Sequence, residues 1–406
     1  MKIHPLINTT EALAELCGRL SKADFVAVDT EFMRENTYWP ELCLVQVADT
    51  NEAAAIDPLA PGIDLTPLLD LLVDNEDVLK VFHAGGQDVE IVFNLTGRTP
   101  HPIFDTQIAM MAISQSEQIG YSNLVEAWLG LTIDKGARFT DWSRRPLTER
   151  QIEYAIGDVT HLSKIFPRIL KRLIKTGRGE WLNVEMERLA DADNYRSDPD
   201  TAWQKVRAPS RNPTVLGRLR AIAAWREHEA MDKNIPRGRI MRDETLADIA
   251  SHPPKEQAEL AKVRGLSTGW RDNEIGRRLM GVIAEAQPLK TEELPPRAPR
   301  GAPLGKEGAL VADLLKLLLK IRAREIDIAA RLLARSDDLE SLAAGQRKGL
   351  SILEGWRYEQ FGHDALDLVE GKLAFAVVAG KLKMAHIDDI GSSSGEGEEP
   401  VAHVDG

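Results

Sequence analysis

The sequence predicts an α/β domain built on a mixed sheet, followed by two all-α units. Three observations carry this. Residues 1–165 open with strand-like apolar runs and then alternate strand with helix, the pattern of a sheet covered by helices. The remainder is rich in Ala, Leu, Glu and Arg, and a Pro/Gly-rich string, QPLKTEELPPRAPRGAPLGKEG, divides it. A chain of 406 residues also exceeds what one core organises, so two or three domains are expected.

In order, Phe25–Val28 is an apolar run leading into Asp29, and Leu42–Ala48 and Ala53–Ile56 read as the next strands of a meander. Pro67–Val73 reads as helix, Val78–Phe82 as strand, and Asp88–Leu95 as a helix that Gly97 stops. Asp105–Ile113 and Leu124–Leu129 read as short amphipathic helices. Thr148 is placed to cap a longer helix running through Tyr154 to about Leu162. Periodicity weakens across residues 181–210, which read as a connector. These signals divide the chain into residues 1–205, 206–290, a linker at 291–308, a second helical unit at 309–387 and an acidic Gly/Ser-rich tail at 388–406, expected to be disordered.

Composition narrows the function. No run reaches the ~18 uncharged apolar residues of a membrane span, and MKIHPLINTTEALAEL has neither the basic start nor the apolar core of a secretion signal. Cys17 and Cys43 supply neither a disulfide framework nor zinc spacing. A cytoplasmic location is expected, and the lack of dimerisation heptads points to a monomer. The formal charge of −12 argues against a polyanionic partner until the chain is divided. Residues 1–205 hold 20 Lys and Arg against 32 Asp and Glu, residues 206–290 hold 16 against 11, and residues 291–406 hold 15 against 20. The basic middle segment suits a nucleic-acid contact, where phosphate neutralisation dominates affinity, although fluctuation on a charged surface describes it equally well.

Three strings carry chemistry. In FVAVDTEFM, Asp29 and Glu31 share one face of a strand. Paired acids resist burial unless a cation offsets them, and hard divalent ions favour oxygen ligands. A bare DxE is also what a solvated strand end looks like. In VFHAGGQDVEIVF, a strand ends at Phe82, two glycines allow a tight turn, and Asp88 enters a helix. That acid alone would serve the helix dipole, and HAGGQD lacks the ending of a nucleotide P-loop. In ERQIEYAIGDVTHL, Tyr154 and Asp158 are four apart and face the same way on a helix. Together the strings offer acids from separate elements, as phosphate-cleaving metal pairs require. No H-E-x-x-H or dinucleotide fingerprint offers a rival chemistry.

VDTEF, HAGGQDVE and EYAIGDV resemble the three exonuclease motifs of the ribonuclease D group, in the tyrosine-bearing (DEDDy) branch of the DEDD 3′–5′ exonucleases. TYWPELCLVQVAD, FDTQIAMMA and FTDWSRRPLTERQ match that group in order and spacing. LRAIAAWREHEAMDKNIPRGRIMRDETLADIA resembles a helicase-and-ribonuclease-D C-terminal (HRDC) domain, and residues 309–385 a more divergent second copy. The resemblance implies an RNase-H-like (DnaQ-like) exonuclease domain followed by two HRDC-like helical domains. It also implies two divalent ions, Mg²⁺ or Mn²⁺, release of nucleoside 5′-monophosphates from RNA 3′ ends, and tRNA precursors as substrate. Residue by residue, Asp29, Glu31, Asp88 and Asp158 match the metal-binding acids, and Tyr154 matches the residue that orients the attacking water.

Beyond these five, Thr30, Phe32, His83 and Gln87 flank the acids and are expected to hold the terminal nucleotide, Phe32 against its base. Arg144 and Arg145, and in the HRDC-like string Arg237, Arg239 and Arg242, are candidates for RNA backbone contact. Asp105 reads as a helix cap. His161 stands where an aromatic is expected three residues after Asp158, and reads as helix surface or packing. Two other functions share parts of the pattern: a proofreading-type DNA 3′–5′ exonuclease, which has the same acids and tyrosine, and a non-catalytic RNA-binding adaptor on a nuclease scaffold.

Overall fold

The computed structural model describes residues 1–134, 136, 140–294 and 305–387; much of the expected linker at 291–308 and all of the expected tail at 388–406 lie outside the described residues. The chain forms two compact units. Met1–Thr106, Gly120–Lys171 and the described residues from Asn183 to Leu294 make the first, and Gln107–Ile119, Arg172–Leu182 and the described residues from 305 onward make the second. No helix among the described residues is long and apolar enough to cross a membrane.

The first unit is built on a six-stranded mixed sheet, ordered β1-β4-β3-β2-β5-β6. Its strands are β1 (Lys2–Ile3), β2 (Phe25–Met33), β3 (Glu41–Ala48), β4 (Glu52–Ile56), β5 (Leu79–Phe82) and β6 (Ile103–Asp105). β2–β3–β4 form the predicted antiparallel meander; β5 and β6 add in parallel. Strand parity separates two cores. On one face Val26, Val28, Val45, Val47 and Ile56 pack with helices α1 (Thr10–Leu20), α2 (Thr66–Val73) and α3 (Gly86–Thr96). On the other, Phe25, Ala27, Ala48 and Val81 pack against Val159, Leu162 and Phe166 of a long helix spanning Glu149–Thr176. Asp29 and Glu31 continue the odd-numbered row and point toward that long helix; Thr30 continues the even row toward α3.

Two predicted elements differ. The string expected to be helical from Asp105 is first a strand: Ile103–Asp105 pairs with Lys80–Phe82, and helix α4 follows over Thr106–Met111. Three residues give no readable alternation, so sheet completion rather than periodicity decides them. After α5 (Tyr121–Leu129), the helix expected to stop near Leu162, here α6, runs to Thr176 with Pro167 inside it. Proline costs a backbone hydrogen bond, yet buried Ile165, Phe166, Ile169 and Leu173 carry the apolar stripe past it. Its start is as read: Gln151 N–H donates to Thr148 Oγ1 at 3.3 Å, and Thr148 N–H donates to Gln151 Oε1 at 3.0 Å.

The connector holds α7 (Asn183–Ala190), with Leu189, Ala190 and Tyr195 against the sheet core. A helical core then gathers Leu216, Leu219 and Ile222 of α8 (Pro213–Asp232), Ile240 of α9 (Arg237–Ile240), Leu246 and Ile249 of α10 (Asp243–Ser251) and Leu279 of α11 (Glu274–Glu285). Ala202, Trp203 and Val206 are buried in the same core.

In the second unit, helices over Lys306–Glu325, Ala330–Leu333, Ser336–Ala343 and His363–Val369 surround Leu315, Leu318, Ile328, Leu333 and Phe361. It is not helical throughout. Leu373–Val378 (β7) and Lys381–His386 (β8) pair as an antiparallel hairpin, across a turn at Ala379 and Gly380, both with positive φ. LAFAVV is β-prone, and the two-residue turn matches hairpin twist.

Candidate active site

The site lies where β2, α3, α5 and α6 meet. Carboxylate oxygens of Asp29, Glu31 and Asp158 lie within 4.8 Å of one another. Asp29 and Glu31 arrive on one strand face; Asp158 comes from α6, whose flanking residues Ala155, Val159 and Leu162 are buried against the sheet. The β2–β3 register shifts between Glu31 and Phe32. Such a bulge bends the strand just past the acids. Asp88, the fourth expected acid, is not part of that triplet: it is 8% exposed, and Thr30 Oγ1 donates to its Oδ1. It nonetheless acts on the others electrically. Burial first, and then the charges of Asp88, Asp158 and Glu31, push Asp29 well above the usual carboxylate range. Burial raises Asp88 itself to about 7, although the Thr30 bond opposes the shift. Acids that share a desolvated pocket and hold each other's protons are the donor set a hard cation relieves.

The turn before Asp88 uses its small residues in a specific way. Ala84 takes positive φ (58°), and a Cβ on Gly85 would stand 2.5 Å from Phe82 Cβ, whereas Gly86 has open space. Asp105, read as a helix cap, instead accepts the Gly85 N–H at 2.8 Å and pins this turn to β6. His83 Nδ1 lies 2.9 Å from Thr106 Oγ1, whose hydroxyl donates to the Phe82 carbonyl at 3.0 Å.

A cavity of about 1270 Å³ opens on the acids; Thr30, Phe32, His83, Gln87 and Tyr154 line it with Asp29, Glu31 and Asp158. All four residues expected at the terminal nucleotide are therefore brought to the acids. Trp142, 2% exposed, packs its ring 6.2 Å from that of Tyr154. Tyr121 was not visible in the sequence as a site residue. Its hydroxyl donates to the Asp158 carbonyl, and its ring lies 5.4 Å from that of His83. It binds main chain from another helix, and no sequence pattern announces that.

The expected phosphate contacts divide. Arg144 is exposed. Arg145 is not available: it donates to Asp57 from Nε at 2.8 Å and Nη2 at 2.6 Å, and to the Trp142 and Cys43 carbonyls at 2.7 and 2.6 Å. Arg237 pairs at 3.6 Å with Glu227, Arg239 donates to Asn36, and Arg242 is exposed at the start of α10. His161 is half-buried with its pKa lowered by burial and then by Lys164; its Nδ1 has no hydrogen-bond partner among the described residues, and it does not line the cavity.

Comparison with known proteins agrees with this geometry. A 3′–5′ exonuclease family profile matches residues 5–174, and an HRDC domain profile matches residues 215–283. Ribonuclease D of Sphingobium indicum is 68% identical over 95% of this chain and 99% of its own, and that of Zymomonas mobilis is 61% identical over 96% and 100%. The crystal structure of Escherichia coli RNase D superposes with a TM-score of 0.73 at 30% identity, covering 91% of this chain and 99% of that one. With the acids gathered at a cavity wall and relatives matched along nearly their whole length, the chain belongs to the ribonuclease D family of 3′–5′ exoribonucleases.

Proposed function

We propose that Asp29, Glu31, Asp88 and Asp158 hold two divalent cations, Mg²⁺ or Mn²⁺, and that Tyr154 orients the water that attacks the terminal phosphodiester. The observation behind this is the convergence of three carboxylates within 4.8 Å, with the buried fourth raising the proton affinity of Asp29. Divalent ions there supply Lewis acidity, making water a better nucleophile and offsetting charge on the departing 3′ oxygen. Tyr154, its ring packed beside buried Trp142, positions the water rather than deprotonating it, since a tyrosine hydroxyl ordinarily titrates near ~10. Phe32 stacks on the terminal base, and His83, Gln87 and Thr30 surround the sugar. The product is a nucleoside 5′-monophosphate.

We infer tRNA precursors with single-stranded 3′ ends as substrates, a cytoplasmic location and a monomeric state. The Escherichia coli relative is an exoribonuclease involved in structured RNA processing, and Cys17 and Cys43 are free and buried. Residues 206–290, with the core extended back to Ala202 and Trp203, make the first HRDC domain, and residues 309–387 a second HRDC-like one. Single-stranded RNA and DNA of one sequence, digested in parallel with Mg²⁺ or Mn²⁺, test the assignment. Mononucleotides are expected from RNA; preference for DNA would favour the proofreading reading. Asp29→Ala should abolish release, and continued release would exclude this site. Tyr154→Phe should slow the single-turnover rate about a hundredfold while keeping the Mg²⁺-induced rise in Tm.

A further inference from the structure

We propose that a second cleft in the first unit binds single-stranded RNA upstream of the 3′ end, by stacking a base on Trp39 and drawing its phosphates toward Arg196 and Lys205. The cleft has a volume of about 580 Å³, and Tyr38, Trp39, Arg196 and Lys205 help line it. Arg34 stands in its wall and in the wall of the catalytic cavity. The two spaces thus meet just beyond the strand that carries Asp29 and Glu31. An RNA whose terminal nucleotide sits at those acids has this cleft as its adjoining continuation.

The charges suit a phosphate chain once the internal pairs are removed. Glu90 is held by Arg34 through two bonds of 2.6 and 2.7 Å. Glu227 accepts from Tyr38 Oη at 2.7 Å and has Arg226 and Arg237 at 3.5 and 3.6 Å. Asp198 accepts the Asp200 N–H at 2.9 Å. Glu90 and Glu227 thus face cations inside the protein, whereas the Asp198 bond is to a backbone N–H and leaves its charge in place. Arg196 makes a long, solvent-exposed pair with Asp193, at 3.6 Å, which binds weakly, and Lys205 is exposed. Along the lining Arg34, Arg196, Lys205 and Arg237 stand against Glu90, Asp198 and Glu227, a surplus of one positive charge.

The aromatic side is preorganised. Tyr38 and Trp39 meet edge to face at 4.8 Å. Their backbone N–H groups both donate to Asn234 Oδ1, at 3.1 and 3.2 Å, and the Tyr38 hydroxyl is tied to Glu227. The loop is fastened to the helical core, so a base stacking on the half-buried indole need not order it first. Base–aromatic stacking beside a basic groove is how single strands are held without sequence preference.

The inference rests on the exoribonuclease activity of the first cavity, and RNA length separates the two. Full-length protein with Mg²⁺ would be given oligoadenylates of two to twelve nucleotides. Trp39→Leu should raise KM about tenfold on the twelve-nucleotide RNA and leave the dinucleotide, too short to enter the cleft, within twofold. The double variant Arg196→Glu/Lys205→Glu changes only exposed residues and should reduce the salt dependence of twelve-nucleotide binding, the slope falling by about 0.7 per cation. Fluorescence anisotropy with the same RNA in EDTA reads this without turnover. Equal losses at both lengths, or no loss of anisotropy signal in either variant, would overturn the proposal. A wild-type protein that bound the longer RNA through these residues yet released no mononucleotide would instead overturn the catalytic assignment.

Discussion

Asp88 is forced toward neutrality by the place it occupies. Its folded pKa near 7 lies far above its ordinary 3.8, and Asp29 moves in the same direction. Between those values the unfolded chain gives up the proton and the folded chain keeps it. The stability this site contributes is therefore complete below about pH 4 and lost as pH rises through about 7, a difference of at most about 4 kcal/mol for Asp88. In chelator, Tm should fall from pH 5 to pH 8, and Asp88→Asn, which keeps an acceptor for Thr30, should flatten that fall. Mg²⁺ should raise Tm at pH 8 more in the wild type than in the variant. A wild-type Tm that climbs over this range would contradict the assignment. At this scale the sequence revealed much. Spacings of two and four placed Asp29 with Glu31 and Tyr154 with Asp158 on shared faces. The family resemblance and adjacency to the acids singled out Asp88, Thr30, Phe32, His83 and Gln87; of these, all but Asp88 line the cavity. Tyr121 and Asp105 were not, because each bonds the main chain of a distant segment. Arg145 was misleading for a related reason: its partner Asp57 lies 88 residues away.

Elements succeed or fail by how much of their surface is committed. β2 was legible because its apolar run and its acids alternate in one register. Three-residue β6 was not, and α6 ran past its apparent end because buried side chains beyond Pro167 outweigh one missing backbone bond. The turn between β5 and α3 shows the same principle in miniature. Two adjacent glycines looked interchangeable, yet only one has no room for a side chain. Gly85→Ala should destabilise by about 1–3 kcal/mol through overpacking against Phe82, whereas Gly86→Ala should change stability by less than about 0.5 kcal/mol. Urea unfolding of the two variants side by side decides it; equal midpoints would mean that the Phe82 contact imposes nothing.

Within the first unit, the nuclease sheet and the helical core that follows it are joined by named bonds rather than by sequence proximity. Tyr38 reaches Glu227, and Asn234 holds the backbone of Tyr38 and Trp39. The boundary read from charge and periodicity, at residue 205, falls inside a hydrophobic cluster: Ala202 and Trp203 are packed with Leu216 and Leu219. Composition marks where polarity changes, whereas a core closes wherever large side chains find cover. A fragment of residues 199–294 should accordingly unfold cooperatively, and one of residues 206–290 should be weaker by about 3–5 kcal/mol, the cost of losing a buried tryptophan. Equal denaturation midpoints would place the boundary back at 205.

The alternation along β2 has a consequence for how this chain can vary in length. Because odd-numbered positions face α6 and even-numbered ones face α3, inserting or deleting a single residue between Phe25 and Asp29 exchanges the two faces. The acids would then be driven into the aliphatic layer beneath α1–α3, and valines would be left bordering the cavity. Adding or removing two residues restores the parity and asks only that the chain ends adjust. Length changes in this strand are tolerable in pairs or not at all.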